Sequence, residues 1–308
     1  MNRREFLMMT AAAGLAGSTT GDVRKECLKP DGCGGGKILF GACRPIRDAK
    51  ILKAHGYDFF ETTVSEALKP TCSDEEWKHQ KERIVNAPVP LLCCNGFIPG
   101  SFRITGPKAD FGPPLDYAEK ALRRAEEVGV KSVVFGSGGA RNVPGDFCGA
   151  RGQRPDILKG IAQFTEFCRI LSGRISDLRT VSVVIEPLGP NESNIINYVW
   201  QGLQVVRDVD SPRIELLADI YHMLNGRECA RSIVEAGSRL RHCHIACKGS
   251  RRFPGSGADD TVAFKPYFDA LRQIKYSGGV ACECKWPKDA VKFEKALDEA
   301  LALMKSLS

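Results

Sequence analysis

Several common site signatures are missing from this sequence. It has no C-x-x-C pair, which removes the usual zinc-knuckle and thioredoxin-type sites. It has neither G-x-G-x-x-G nor a Walker lysine, so the G-S-G-G-A run at residues 136–140 reads as a flexible strand-to-helix loop and not as a phosphate cradle. Histidine is scarce, with five in 308 residues. The apolar run near the N-terminus is about ten residues, half of the roughly twenty that span a bilayer, so no stable membrane anchor is expected. The net charge of +7 is modest and dispersed, whereas a nucleic-acid surface needs clustered basic residues.

With 43% hydrophobic and 26% charged residues, the chain can bury one large core. Its first eighteen residues stand apart. Arg3 and Arg4 precede a short apolar stretch, residues 8–17, in the pattern of a twin-arginine export signal. Residue 18 is serine, not the cysteine that a lipoprotein requires. A polar, Gly-rich linker is expected over 19–36 and one folded domain over 37–308, with the product exported to the periplasm or outside the cell. Thirteen cysteines, an odd number, cannot all pair internally. Cys243, Cys282 and Cys284 fall in apolar strands, where a free thiol behaves as a small buried apolar group, so mostly free thiols are expected.

From residue 37 the pattern alternates. Strands are expected at 37–41, 57–62, 89–94, 132–135, 181–186, 214–219, 240–246 and 279–283. Helical segments are expected at 46–55, 74–86, 115–128, 155–178, 194–206, 227–236, 264–274 and 290–306. The long Gly/Pro/Phe-rich stretch 96–114 reads as a lid or binding loop. Eight apolar strands alternating with eight helical segments predict a closed (β/α)₈ TIM barrel in a single domain, in preference to an open doubly wound sheet.

In such a barrel the C-terminal strand ends share one face. Four neighbouring strands deliver Glu186, Asp219, His244 and Glu283 to it. Each of these alone is an ordinary loop anchor, but together they form a divalent metal site. Three carboxylates and one imidazole are a hard, oxygen-rich set that suits Mn²⁺, Mg²⁺ or Co²⁺, with Zn²⁺ still open. Glu61 closes the second strand in the same way, with a structural role equally open to it. His55 and His79 are expected on the surface. Arg252 is a solvated loop charge or an anion contact.

The segment Glu186-Pro-Leu-Gly-Pro-Asn-Glu192 resembles the E-P-L-N-R-F-E motif of the ketose 3-epimerases of the xylose-isomerase-like barrel superfamily. Asp219-Ile-Tyr-His222-Met is similar to their D-T-F-H-M. His242-Cys-His244-Ile-Ala, followed by Arg251 and Pro254-Gly-Ser-Gly257, resembles a segment shared with hydroxypyruvate isomerase. The resemblance spans most of the chain from residue 37, but its sharp motifs lie in the C-terminal half. It implies that Glu186, Asp219, His244 and Glu283 hold one metal, and that Glu192, His222 and Arg251 contact a small carbohydrate. Glu186 and Glu283 would then be the catalytic bases that remove and return a proton beside a carbonyl. Epimerisation and aldose–ketose isomerisation both remain open, as do β-elimination from keto-sugars or keto-glycosides and a non-catalytic sugar-binding barrel. A homo-oligomer also remains open. Three-zinc endonucleases of the same superfamily need more histidines than this chain has, so nucleic acid is not expected as a substrate. Cys247 departs from the pattern, because relatives often carry an acidic residue there.

Overall fold

A computed structural model describes residues 37–145 and 156–308. The signal expected over 1–18 and the linker over 19–36 lie outside the described residues. Eight parallel strands close in chain order into one barrel: β1 Leu39–Cys43, β2 Phe59–Thr63, β3 Leu91–Asn95, β4 Ser132–Phe135, β5 Ser182–Ile185, β6 Ile214–Asp219, β7 Leu240–Ile245 and β8 Gly279–Cys282. Closure is made by β1 on β8, with Leu39 beside Gly279. Every residue of β4, β5, β6 and β8 is buried, because the strands face side chains inside the ring and helices outside it. Cys93, Val134, Val184 and Leu217 form one apolar cluster of the core.

The α-helices among the described residues are α1 Ala49–Ala54, α2 Val64–Ala67, α3 Asp74–Val85, α4 Gly112–Glu127, α5 Gly138–Arg141, α6 Ile157–Arg174, α7 Val199–Val209, α8 Ile220–Asn225, α9 Arg231–Ala236, α10 Asp260–Gln273 and α11 Ala290–Leu307. Helix α3 starts at a capping box, in which Ser73 and Glu76 satisfy each other's backbone N–H groups.

Several boundaries differ from the sequence expectation. Helix α4 begins three residues earlier than expected, because Pro113 and Pro114 occupy the first turn, where a missing N–H costs nothing. Residues 194–198 are not helical. There Asn197 donates to the carbonyls of Leu188 (2.7 Å) and Ser193 (2.6 Å), and Asn194 accepts from Val143 N, so side-chain bonds replace a helical turn. The helix expected over 227–236 is shorter, α9 Arg231–Ala236, and a separate helix not expected from sequence, α8, is capped by Asp219 and precedes it. The G-S-G-G-A run is also more ordered than expected, since its residues 138–140 form α5 together with Arg141. His55 is half-buried and not on the surface, with Nδ1 2.6 Å from Asp298 Oδ1 of α11. His79 is exposed. All ten described cysteines are free.

Candidate active site

The four acidic and imidazole side chains from β5 to β8 meet at one point. Glu186 follows β5 directly, Asp219 ends β6, His244 lies on β7 and Glu283 follows β8. One donor atom from each lies within 4.8 Å of the others. His244 Nδ1 is 3.0 Å from Glu186 Oε1 and 3.7 Å from Glu283 Oε2. Asp219 is shared between two tasks. Its Oδ1 accepts from Tyr221 N at 2.8 Å and caps α8, while its buried Oδ2 has no hydrogen-bond partner.

The electrostatics of this cluster follow from its burial. Removal from water pushes the Asp219 and Glu283 carboxyls up, Glu283 to about 7, and the neighbouring Glu186 charge adds to both shifts. Burial acts the same way on Glu186, but the hydrogen bond and charge of His244 outweigh it and hold that carboxyl below the usual range. Burial would lower His244, yet Glu61, Glu283 and Glu186 together push it well above the ordinary imidazole value.

Glu192, His222 and Arg251 border this cluster. His222 Nδ1 accepts from Gly189 N at 3.1 Å, which directs Nε2 towards Asp219 Oδ2 (3.5 Å) and Glu192 Oε2 (3.8 Å). That Nε2 is buried without a hydrogen-bond partner. Arg251 spans the mouth: it donates to Glu192 Oε1 at 2.9 Å and to Glu283 Oε2, and its guanidinium lies 4.7 Å from the Tyr221 ring centroid. A cavity of about 490 Å³ opens beside these groups, lined in part by Glu186, Glu192, Arg251 and Glu283.

Other residues in and around the site carry no motif in the sequence. Asn95, at the end of β3, lines the cavity and donates to Glu283 Oε1 at 3.0 Å, and its own Oδ1 is buried without a partner. Arg141 is fully buried behind β5. It donates to the carbonyls of Phe135 (3.0 Å) and Glu186 (2.9 Å), and burial lowers its pKa to about 10. Glu61 is fully buried and accepts from both His242 and His244. The sequence reading had it close the second strand, whereas it lies in the middle of β2, and its partners lie across the barrel.

Arg252 stays outside the cavity lining; it is exposed, and its backbone pairs in parallel with that of Lys285. Cys247 is buried, with Sγ 3.0 Å from Asp260 Oδ2. Asp260 also accepts from Gly255 N (2.8 Å) and Gly257 N (3.0 Å), so it shapes the P-G-S-G turn from the far side.

Comparison with known proteins places this geometry. The family model for the xylose isomerase-like TIM barrel matches residues 49–307. The probable ketose 3-epimerase of Synechocystis sp. is 34% identical over 100 residues, 32% of this chain and 33% of that protein. The ketose 3-epimerase of Arthrobacter globiformis is 28% identical over 145 residues, 45% of this chain and 48% of that protein. The chain thus spans about a third to a half of the length of these curated relatives. Among solved structures, a D-psicose 3-epimerase superposes with a TM-score of 0.74 at 18% identity, covering 88% of this chain and 99% of that one. The 3-keto-D-glucoside 4-epimerase of E. coli gives 0.69 at 22% identity, covering 87% and 100%. At such identities these likenesses concern the fold.

Proposed function

The chain belongs to the xylose isomerase-like TIM barrel family, and on that premise we propose that it is a divalent-metal-dependent sugar epimerase or isomerase that moves a proton beside a carbonyl. The observation that carries this reading is the convergence of Glu186, Asp219, His244 and Glu283 within 4.8 Å. The ketose 3-epimerase names of its relatives support the same chemistry.

The donor set fits a metal. Three carboxylates crowded into a buried site repel one another, and Asp219 Oδ2 has no hydrogen-bond partner, so a dication there would satisfy both conditions. The oxygen-rich set favours Mn²⁺, Mg²⁺ or Co²⁺ over a thiolate-selecting ion. Held by these four residues, the ion would supply positive charge that stabilises an enediolate developing on the sugar.

The remaining work belongs to the side chains. Glu192, His222 and Arg251 orient a small sugar through its hydroxyl groups. Glu283 and Glu186 serve as the two bases: one removes the proton next to the carbonyl and the other returns it, which inverts that carbon. With one base active alone, the proton returns to the neighbouring carbon and an aldose and a ketose interconvert. The paired Arg3-Arg4 and the apolar run after it support export by the twin-arginine route.

The size of the cavity supports a second reading that uses the same bases. Its 490 Å³ equals the liquid volume of about sixteen waters at ~30 Å³ each, whereas a ketohexose has twelve covalently packed heavy atoms. A keto-glycoside would fill more of it, with epimerisation or β-elimination as the outcome.

The test is incubation with ketoses and keto-glycosides in D₂O. Deuterium should enter at the carbon next to the carbonyl, and Glu283→Gln should reduce the exchange by at least about a hundredfold. No exchange across the whole panel overturns the proton-transfer reading, and full exchange by Glu283→Gln overturns the base assignment.

A further inference from the structure

We propose that Glu61 is a positioning residue for His244: by accepting an N–H from both His244 and His242, it fixes the imidazole orientation that presents His244 Nδ1 to Glu186 and Glu283. The inference rests on the metal-site reading above and adds a residue that lies outside the four-donor cluster.

The geometry is a strut across the inside of the barrel. Glu61 sits on β2, and the shorter way round the ring from it to β7 passes through two strands, β1 and β8. His242 and His244 are two residues apart on β7, so they share a face of the strand. Glu61 Oε2 lies 2.8 Å from His242 Nε2, and Oε1 lies 2.9 Å from His244 Nε2. An ionised carboxylate only accepts, so each of these ring nitrogens must carry the hydrogen. With Nε2 committed in this way, Nδ1 is the nitrogen of His244 that faces the other donors. The arrangement is a carboxylate–histidine pair of the kind that orients metal-ligating imidazoles.

The surrounding packing keeps this strut in place. The Phe59 ring, two residues before Glu61, stands edge-on to His242 with centroids 6.0 Å apart. Glycines on the two intervening strands make the room. A Cβ on Gly41 would lie 2.2 Å from the Phe59 ring, and one on Gly279 would lie 2.9 Å from that ring and 3.1 Å from His242. Glu61, His242 and His244 are at most 1% exposed, so water does not compete for these bonds.

The replacement Glu61→Gln preserves shape but not acceptor count. Its amide nitrogen would point a donor at one of two N–H groups, and that imidazole must turn or change tautomer. Mn²⁺ titration of the metal-stripped full chain by calorimetry is the direct measurement. Glu61→Gln should bind Mn²⁺ about 10–100-fold more weakly than the unaltered chain, and Glu61→Asp should fall between them because it still accepts one N–H. Unchanged affinity in Glu61→Gln overturns the inference. If Glu61→Gln does not fold, unchanged affinity in Glu61→Asp overturns it instead. Two ions per unaltered chain and one in the variant also overturn it, since Glu61 would then be a ligand itself. An unaltered chain that binds no Mn²⁺, Mg²⁺, Co²⁺ or Zn²⁺ overturns the metal-site reading from which the inference starts.

Discussion

Glu283 is held at both oxygens, by Asn95 at Oε1 and by Arg251 at Oε2. The two contacts differ in what they do. Arg251 is also bound to Glu192 and can exchange partners with the proposed substrate, whereas Asn95 comes from a strand end and fixes the carboxylate against the cavity wall. Asn95→Ala should therefore lower kcat about tenfold or more, since a hydrogen bond to a charged group contributes about 1.5–3 kcal/mol. Stability should change by less than about 1 kcal/mol, because Asn95 is only part-buried. Steady-state kinetics with a turned-over ketose, beside a thermal melt, checks both. Unchanged kcat would show that Arg251 alone orients Glu283. Glu186, Asp219, His244 and Glu283 are legible in the sequence because each closes an apolar strand. Asn95 closes one as well, but its significance depends on Glu283, 188 residues away.

The β4-to-α5 connection shows how one element shapes the site through what it lacks. A Cβ on Gly136 would lie 2.4 Å from Glu186 Oε2, and one on Gly138 would lie 2.0 Å from the Glu192 backbone oxygen. The two glycines therefore differ in kind. At Gly136 the obstacle is the mobile end of a side chain, so Gly136→Ala should keep the melting temperature within a few degrees while displacing the Glu186 carboxylate. Solvent deuterium exchange should then fall at least about tenfold, and exchange at the unaltered rate would show that Glu186 adjusts without loss. At Gly138 the obstacle is backbone, and substitution must move the Glu192 loop. From sequence this stretch reads only as a loop without a phosphate-binding pattern, because close approach is a property of two elements and not of one. The helix boundaries differ for a related reason. Asn194 finds Val143 only once the loops after β4 and β5 lie side by side, and Asn197 then bonds back within its own loop to Leu188 and Ser193.

For the molecule as a whole, the barrel carries a buried charge away from the site that makes its stability depend on pH. Glu215 of β6 is 3% exposed, with Oε2 unpartnered and Arg239 and Arg241 at 3.7 and 3.8 Å. Burial pushes its carboxyl up to about 7 against the pull of these arginines. Between the unfolded value of about 4.3 and 7, the folded chain holds a proton that the unfolded chain has released. The stabilising contribution is therefore complete below that lower value and is lost as pH rises towards 7. Glu215→Gln removes this dependence. It should match the unaltered chain near the low end and exceed it at pH 8 by about 1–3 kcal/mol in urea denaturation. A constant difference across that range would show that the arginines keep Glu215 ionised throughout.

The sequence alone determined the repeating strand and helix order, the closed barrel and the four residues that close β5 to β8. These follow from local hydrophobic periodicity, and once a parallel barrel forms, its topology sends every strand end to the same face. Tertiary structure decided the partners: Asn95 on Glu283, Arg141 behind Glu186, and Glu61 across the barrel from two histidines. It also decided that Gly136 is required where Glu186 passes. Those contacts join residues from distant parts of the chain, and a hydrogen bond or a close approach has no trace in local composition until the ring has closed.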